Sequence, residues 1–553
     1  MDRNSLLAFL LIAVIIFLMP EYYKLVYPPP AGADSLIVDS EYRVKAVPPP
    51  VENQKSPPSS PDRLSEGARS FSVRTNLYTA EVSTTNGGSI GSFLLHNYAL
   101  NDTESVDLID NNNINNLMVS FRSVEGEDVS LSGGWTVDND YDINVYDRET
   151  TVTFHRALDG KQITKTLTFY PDKYIIDMSV DLSALGTLVS QGVSTLGWHG
   201  GLPLTEPNKK DEQTYYQAMV FQGNETYSPK PKALAQASLE RMDYPTDWVA
   251  IRTKYFISAL VPKKQAPGSE VLAIEENGNK RYDMGIFFNI DRPFLSTLYI
   301  GPLEYGRIKR LGNNLDQTMN FGWAFIRPIS KIVHWFLLFL YKYIPNYGFV
   351  LLVFSVLIKV LVYPLTNKSH VSTKKMQAIQ PMLNDLREKH KNDQRKFAQA
   401  QMALFKEHGV NPLSGCVPIL LQMPLLFALF TVFRSSIELR GAPFMLWIND
   451  LSRPDAVFDL GINIPLYGSQ VAILPLLMGI TMFMQMKSTP MPQSGGQQKF
   501  MMYFMNGFFV LIFNQFPSGL VLYYTLFNVL TILQQKYLTP QSRLEGVVKK
   551  NSG

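Results

Sequence analysis

Residues 347–365 read YGFVLLVFSVLIKVLVYPL, and this stretch decides the fold. Fifteen of its nineteen residues are apolar or aromatic, so the segment is expected to span a membrane. A single ammonium, Lys359, sits inside it, five residues before Pro364. A charge near the bilayer centre costs about 2.5–3.5 kcal/mol on insertion scales, so something must offset it. Two readings stand. Lys359 is only about 7–8 Å of helix from Pro364, a distance its stem can snorkel. Alternatively, it faces a wet cavity inside a bundle.

Four more apolar segments follow, at 416–433, 470–486, 500–516 and 517–533. At about 1.5 Å per residue each covers about 25–27 Å, short of a hydrocarbon layer of about 30 Å. Such helices are expected to thin the bilayer or admit water. Ser355 and Lys359 are four residues apart and share a helix face. Gln422 lies on the same half of its helix as Lys359 does on its own, and the late helices carry Tyr523 and Tyr524. These polar groups either converge on one cavity or simply bond neighbouring helices. The methionines Met478, Met482, Met484, Met501, Met502 and Met505 offer an adaptable surface or ordinary core packing.

Absences narrow the chemistry. None of the five segments holds an Asp or Glu, which argues against a proton relay or cation-coupled site. No inverted repeat is visible, which weighs against the first rival reading, a secondary transporter. No nucleotide loop, HExxH or GxSxG motif is present. The single cysteine, Cys416, excludes an intrachain disulfide and a CxxC site, and no cofactor is expected. A net charge of +3 gives no bulk attraction to nucleic acid.

Loop charges set the orientation. Residues 366–415 carry nine Lys/Arg against four Asp/Glu, whereas 434–469 carry three against four. By the positive-inside rule the first loop and the C-terminus are cytoplasmic; counting back through 347–365 puts residues 71–318 outside the cytoplasm, and counting back through an apolar run near the start puts the N-terminus inside. Within the basic loop, Met376, Ile379, Leu383 and Leu386, then Phe397, Ala400 and Leu404, describe two short antiparallel helices with an apolar seam. Their outer faces carry Lys374, Lys375, Arg387, Lys389, Lys391, Arg395 and Lys396. A solvated hairpin and a docking surface for acidic or RNA-containing partners are equally open.

The first half of the chain is different in texture. Residues 5–19 are almost unbroken apolar, and extension through Val26 reaches a spanning length. The nearest small-x-small site, Ala31-Gly32-Ala33, is far from that run, so an uncleaved anchor is preferred to a signal peptide. Residues 28–70 contain two PPP runs and read as an extended spacer. From 71 to 318 alternating stretches such as TVTFHRAL (151–158) and QITKTLTFYPDKYIIDMSVDL (162–182) read as strands. Gly-Gly at 87–88 and 133–134 and Asn-Gly at 277–278 punctuate hairpins. A large antiparallel sandwich is expected. The second rival reading is a sugar-acting enzyme using His96, His155, His199, Glu206 and Asp247, although nothing in their spacing demands it. Residues 321–345 place Arg327, Lys331 and His334 on one helical face and Ile332, Val333, Phe336, Phe339 and Leu340 on another. With Trp323, Trp335, Tyr341 and Tyr343 this describes a helix lying in the membrane surface, or else a linker helix packed on the sandwich.

Several motifs together carry a resemblance. NYGF (346–349), KVLVYPLT (359–366), NPLSGCVPILLQMP (411–424), APFMLWINDLS (442–452) and FPSGLVLYY (516–524) resemble the YidC membrane protein insertase family in its Gram-negative form. The resemblance implies a polytopic α-helical membrane protein, with a five-helix insertase core, an N-terminal anchor helix and a large periplasmic antiparallel β-supersandwich. The implied division is an anchor (1–27), linker (28–70), sandwich (71–318) and interfacial helix (319–345), followed by transmembrane helices at 346–365, 416–434, 470–487, 500–516 and 517–535. Between and after these helices come a cytoplasmic hairpin (366–415), a periplasmic loop (435–469), a cytoplasmic loop (488–499) and a cytoplasmic tail (536–553). The implied function is insertion and chaperoning of inner-membrane proteins by a non-enzyme, through a hydrophilic groove open to cytoplasm and lipid. Lys359 supplies the groove's positive charge, where the family usually has Arg, and Ser355, Gln422, Tyr523 and Tyr524 line it or touch the client. Lys keeps the charge but loses the guanidinium fork. Implied partners are nascent membrane proteins, ribosome–nascent chain complexes, the Sec translocon and lipids, with no small-molecule substrate and no specific nucleic acid.

Overall fold

The computed structural model describes residues 68–100, 104–109, 115–138, 141–231, 237–276, 278–391, 393–409, 417–488 and 496–538. The N-terminal anchor, nearly all of the linker and the tail beyond 538 lie outside the described residues, as do the side chains of Gln422 and Lys374.

Period-two burial builds the first body. Along Lys161–Phe169 the residues Ile163, Lys165, Leu167 and Phe169 are buried, while the threonines between them are half-buried. This strand pairs antiparallel with Thr150–Leu158 on one side and Ile175–Asp181 on the other. Asp159 and Gly160, both at positive φ, close the first hairpin, as a two-residue turn between right-twisted strands requires. These strands belong to a nine-stranded sheet; a six-stranded and a five-stranded sheet complete the body. Their inner faces share one core that includes Phe93, Phe154, Trp198, Trp248, Ile257 and Ile286. Two short helices, α1 (Lys209–Gln213) and α2 (Tyr305–Arg310), complete this part.

The expected antiparallel sandwich needs two corrections. One pair is parallel, Ser70–Thr75 with Ile143–Val145. Gly133-Gly134 does not close a hairpin: the strand before it, Asp128–Ser130, pairs in the six-stranded sheet, and the strand after it, Thr136–Val137, in the nine-stranded one. The positive φ of Gly134 serves a crossover between sheets there. Gly-Gly at 87–88 does sit in a hairpin, between Tyr78–Ser83 and Ser89–Ala99. Ser269–Glu276 pairs antiparallel with Asn279–Asn289 up to Glu276↔Asn279, and Asn277 itself lies outside the described residues.

The second body is helical. Its elements are α3 (Arg327–Tyr341), α4 (Tyr347–Ala378), α5 (Gln380–Lys389), α6 (Gln394–Glu407), α7 (Val417–Ser435), α8 (Ile473–Ser488), α9 (Gly496–Phe513) and α10 (Ser518–Leu533). Among the described residues one helix window, Tyr347–Pro364, is long and apolar enough to cross a membrane; Met423–Ser435, Ile473–Lys487 and Tyr503–Phe513 are apolar but shorter. Polarity is inverted relative to a soluble bundle. On α4, Val356, Leu357, Val360 and Leu361 are 42–73% exposed, while Ser355 and Lys359 are buried. Apolar outside and polar inside is the distribution that hydrocarbon solvent selects.

Three features differ from expectation. First, α4 does not end near Pro364 but continues to Ala378, so the basic hairpin is the end of α4 with α5 and α6, and the break comes at Ile379, just before Pro381. Two residues beyond Pro364 the Thr366 hydroxyl donates to the carbonyls of Val362 and Tyr363 in the same helix. The hairpin seam is Ile379, Leu383 and Phe405 with Leu404 against it. Second, the expected loop at 435–469 contains a two-stranded hairpin, Ala456–Ile464 with Gly468–Ala472, so α8 starts at Ile473 rather than 470. Third, His334 is buried on α3, against the edges of Tyr305 and Phe321, instead of lying on a polar face. The exposed face of α3 is apolar, with Ile332, Trp335 and Phe339.

Candidate functional site

Lys359 sits on α4 among buried neighbours from α10. Its ammonium donates to the Thr531 hydroxyl at 2.7 Å and lies 4.5 Å from the centroid of the Phe527 ring. Thr531 in turn donates to the Phe527 carbonyl at 2.6 Å, which leaves its oxygen free to accept from Lys359. A hydroxyl and a π face both stabilise a cation without neutralising it. Toward the α5 end of α4, the Gln534 side chain donates to Thr366 at 3.3 Å. The polar line therefore runs from Lys359 to the end of α10.

The other expected residues are placed as follows. Ser355 is fully buried one turn from Lys359, and its hydroxyl donates back to the Leu351 carbonyl at 2.7 Å. Tyr523 and Tyr524 stand on α10, with rings 5.4 Å apart in an edge arrangement; Tyr523 also lies 5.9 Å from Phe354. Neither buried phenol oxygen has a hydrogen-bond partner among the described residues. Such orphans are costly unless water or a ligand reaches them. Gln422 lies on α7, but its side chain is outside the described residues. Of the basic residues on the hairpin, Arg387, Lys389, Lys391, Arg395 and Lys396 are exposed and Lys375 is half-buried. Asp393 caps α6 by accepting from the Lys396 amide.

Other polar groups between the helices join them. Asn528 on α10 donates to Thr481 on α8 at 3.4 Å, and Asn506 on α9 to the Gly479 carbonyl on α8 at 3.3 Å. Met478 is buried in the same core, whereas Met484 is exposed, so the methionines divide between packing and surface.

A second polar cluster lies at the opposite end, where the bundle meets the β body, and sequence reading missed it. Glu206 accepts from Arg440 at 2.6 Å and from Arg453 at 2.8 Å, and the Arg440–Glu206 pair is almost fully buried. Asp211 at the start of α1 is held by Lys254 at 2.9 Å and by Arg434 at the end of α7. Burial pushes the Asp211 carboxyl up, but Lys254 and Arg434 more than compensate and hold it below the usual carboxylate range. Ile437, just after α7, is buried in the β core itself.

Three of the quoted motifs, NYGF, APFMLWINDLS and FPSGLVLYY, meet at this joint. Asn346 accepts from the Phe349 amide and donates to the Pro443 carbonyl at 3.4 Å. Phe444 packs so closely on Gly348 that a Cβ there would lie 1.8 Å from its ring. Ser518 donates to the Asp450 carbonyl at 2.8 Å, and the Gly519 amide to that of Leu451 at 3.0 Å. Spacing gave no signal for Glu206 or Asp211, because Arg440, Arg453 and Arg434 lie more than two hundred residues away in the chain.

The histidines and carboxylates of the sugar-site reading do not converge. His96 bonds Thr79, His155 pairs with Asp138, His199 with Asp283, Glu206 serves the joint and Asp247 accepts from Gln265.

Residues 70–336 match a family described as the YidC periplasmic domain, and residues 339–544 one described as a 60Kd inner membrane protein. A protein of Chlorobaculum parvum named membrane protein insertase YidC is 34% identical over 560 residues, covering 97% of this chain and 94% of that protein. Its namesake in Chloroherpeton thalassium is 33% identical over 583 residues, covering 100% and 98%. A solved structure described as an active YidC insertase with the first transmembrane domain resolved aligns with 84% of this chain and 91% of that one, at 16% identity and a TM-score of 0.37.

Proposed function

The chain belongs to the YidC family of membrane protein insertases, inner-membrane proteins with a periplasmic domain, and we propose that it inserts its clients through a hydrophilic groove built around Lys359. Nascent membrane proteins are its substrates. The polar, often acidic, leading segment of a client enters from the cytoplasm, where Lys359, Ser355, Gln422, Tyr523 and Tyr524 replace part of its hydration. The client's apolar segment then leaves sideways into lipid, and burial of that segment drives release. Short helices shorten the distance to be crossed. No bond is made or broken in this cycle, so it needs no catalytic residue.

The observation that carries this reading is the state of Lys359: a buried ammonium whose hydrogen-bond partner is a hydroxyl, in helices that contain no carboxylate. A purely structural cation at such depth would be expected to have a counter-ion. The proposed orientation places both termini and the hairpin in the cytoplasm, with an anchor helix near the N-terminus and five core helices after the β domain. The exposed Arg387, Lys389, Lys391, Arg395 and Lys396 then face ribosome–nascent chain complexes, and the periplasmic end is available to the Sec translocon.

A charge series at one position tests the reading. In proteoliposomes, Lys359→Arg is expected to retain insertion of single-span clients with acidic leading segments. Lys359→Glu reduces insertion to the level of empty vesicles, scored by protease protection. Equal activity of the two variants contradicts an electrostatic role.

A further inference from the structure

We propose that the hairpin Ala456–Ile464/Gly468–Ala472 is a lipid-binding element lying in the interfacial layer of the outer leaflet. Val457, Phe458, Ile462, Ile464 and Leu466 are 39–65% exposed on it. Across residues 456–472 the only charged side chain is Asp459. An isolated two-stranded hairpin showing this much apolar surface is marginal in water and prone to aggregate.

Its attachment fixes its level. At the end of α9 the Asn514 side chain accepts from the Ala472 amide at 3.0 Å and donates to the carbonyls of Tyr467 and Gln470 at 2.9 and 2.5 Å. Beside it Gln515 donates to the Leu466 carbonyl at 2.9 Å. The base of the hairpin (Ala472) and its turn (Leu466, Tyr467) are thus tied to the same two residues. A five-residue strand standing upright would carry its turn about 17 Å away. This hairpin is instead folded down onto the helix ends. Its second strand runs directly into α8, whose Leu476, Leu477 and Ile480 are exposed, and α9 adds exposed Leu511. The apolar surface of the hairpin therefore continues the lipid-facing belt of the helices.

Lipid is favoured over a strand-adding partner. Register shifts between Ala456 and Phe458 and between Asp459 and Ile464 break the ladder. Bulged, twisted edges are poor templates for another strand, whereas acyl chains need no register. The inference depends on the helices spanning a membrane and not on the groove, so insertion assays on the same vesicles separate the two.

The test uses the full chain with Cys416→Ser and single cysteines Phe458→Cys, Ile462→Cys or Leu466→Cys, each carrying an environment-sensitive fluorophore. The control is Glu225→Cys on the exposed surface of the β domain. The vesicles contain phosphatidylethanolamine and phosphatidylglycerol, doped with phosphatidylcholine spin-labelled near the head of the acyl chain. The expected result is blue-shifted emission, several-fold weaker iodide quenching than at the control, and strong quenching by the labelled lipid. Emission and iodide quenching equal to the control place the hairpin in water and overturn the proposal. Protection from iodide without quenching by lipid means that protein covers the hairpin, a second copy or a client, and overturns it equally.

Discussion

The two ends of the helical bundle treat buried charge in opposite ways. At the β-domain end Glu206 is shared by Arg440 and Arg453, and Asp211 by Lys254 and Arg434. Across the bundle Lys359 has a hydroxyl and an aromatic face. Charges at the joint are matched within the chain, so they hold two bodies together. Lys359 has no carboxylate beside it among the described residues, which is the state that the proposed groove for varied acidic segments requires.

The largest effect that would break this contrast is at the joint. Glu206→Gln strands Arg440 without its counter-ion and is expected to cost about 3–5 kcal/mol, as breaking a buried pair does. A lowered urea midpoint of the detergent-solubilised chain, with faster amide exchange around 205–213 and 436–440, is the readout; an unchanged midpoint would make the joint dispensable. Gly348→Ala acts at the same place, because its methyl group meets the Phe444 ring. The expected loss is about 1–3 kcal/mol, the range for overpacking. Lys359→Met has the opposite sign: stability is unchanged or rises by up to about 3.5 kcal/mol, the upper insertion-scale cost of a charge near the midplane, while insertion of acidic clients falls. A clear loss of stability in this variant would place Lys359 with the structural charges.

Lys165 is a third kind of buried charge, and it sharpens the comparison through pH. It lies fully buried in the β core and donates to the carbonyls of Asn86 and Leu117 at 3.0 and 2.7 Å. Burial pushes its ammonium down to about 7. A neutral amine has two N–H groups, and both are used. The folded chain therefore releases this proton near pH 7, whereas the unfolded chain keeps it up to about 10.4. Between those values the unfolded state binds more protons, so stability rises with pH, by up to about 1.4 kcal/mol per unit. Lys165→Met removes that slope. Tryptophan fluorescence in urea at several pH values measures it.

Much of this architecture is legible in residue patterns. Unbroken apolar runs gave the helices, and period-two alternation gave the strands around 150–182. Other features were hidden for physical reasons. Asp159-Gly160 is a direct hairpin signal that the flanking strands made easy to pass over. In AVFDLGINI the alternation is interrupted by the bulges that make the hairpin irregular, so it read as loop. Pro364 reads as a helix end because proline ends helices in water, yet α4 continues through it to Ala378. For the site, Lys359 stood out as an isolated charge, but its partner Thr531 lies 172 residues later and could come only from the packing of α4 on α10. The joint was invisible for the same reason. The motifs that signal the family (NYGF, APFMLWINDLS, FPSGLVLYY) turn out to meet there, where tight glycine contacts and backbone hydrogen bonds leave little choice of residue.

The central claim is that clients touch the residues around Lys359. Site-specific photocrosslinking of ribosome-bound nascent single-span proteins from positions 355, 422 and 524 tests it most directly, with the exposed positions 357 and 361 as controls. Strong adducts from the first set while the client's leading segment is being inserted, fading as its apolar segment enters lipid, are the predicted result. Adducts no stronger than those from the controls would contradict it.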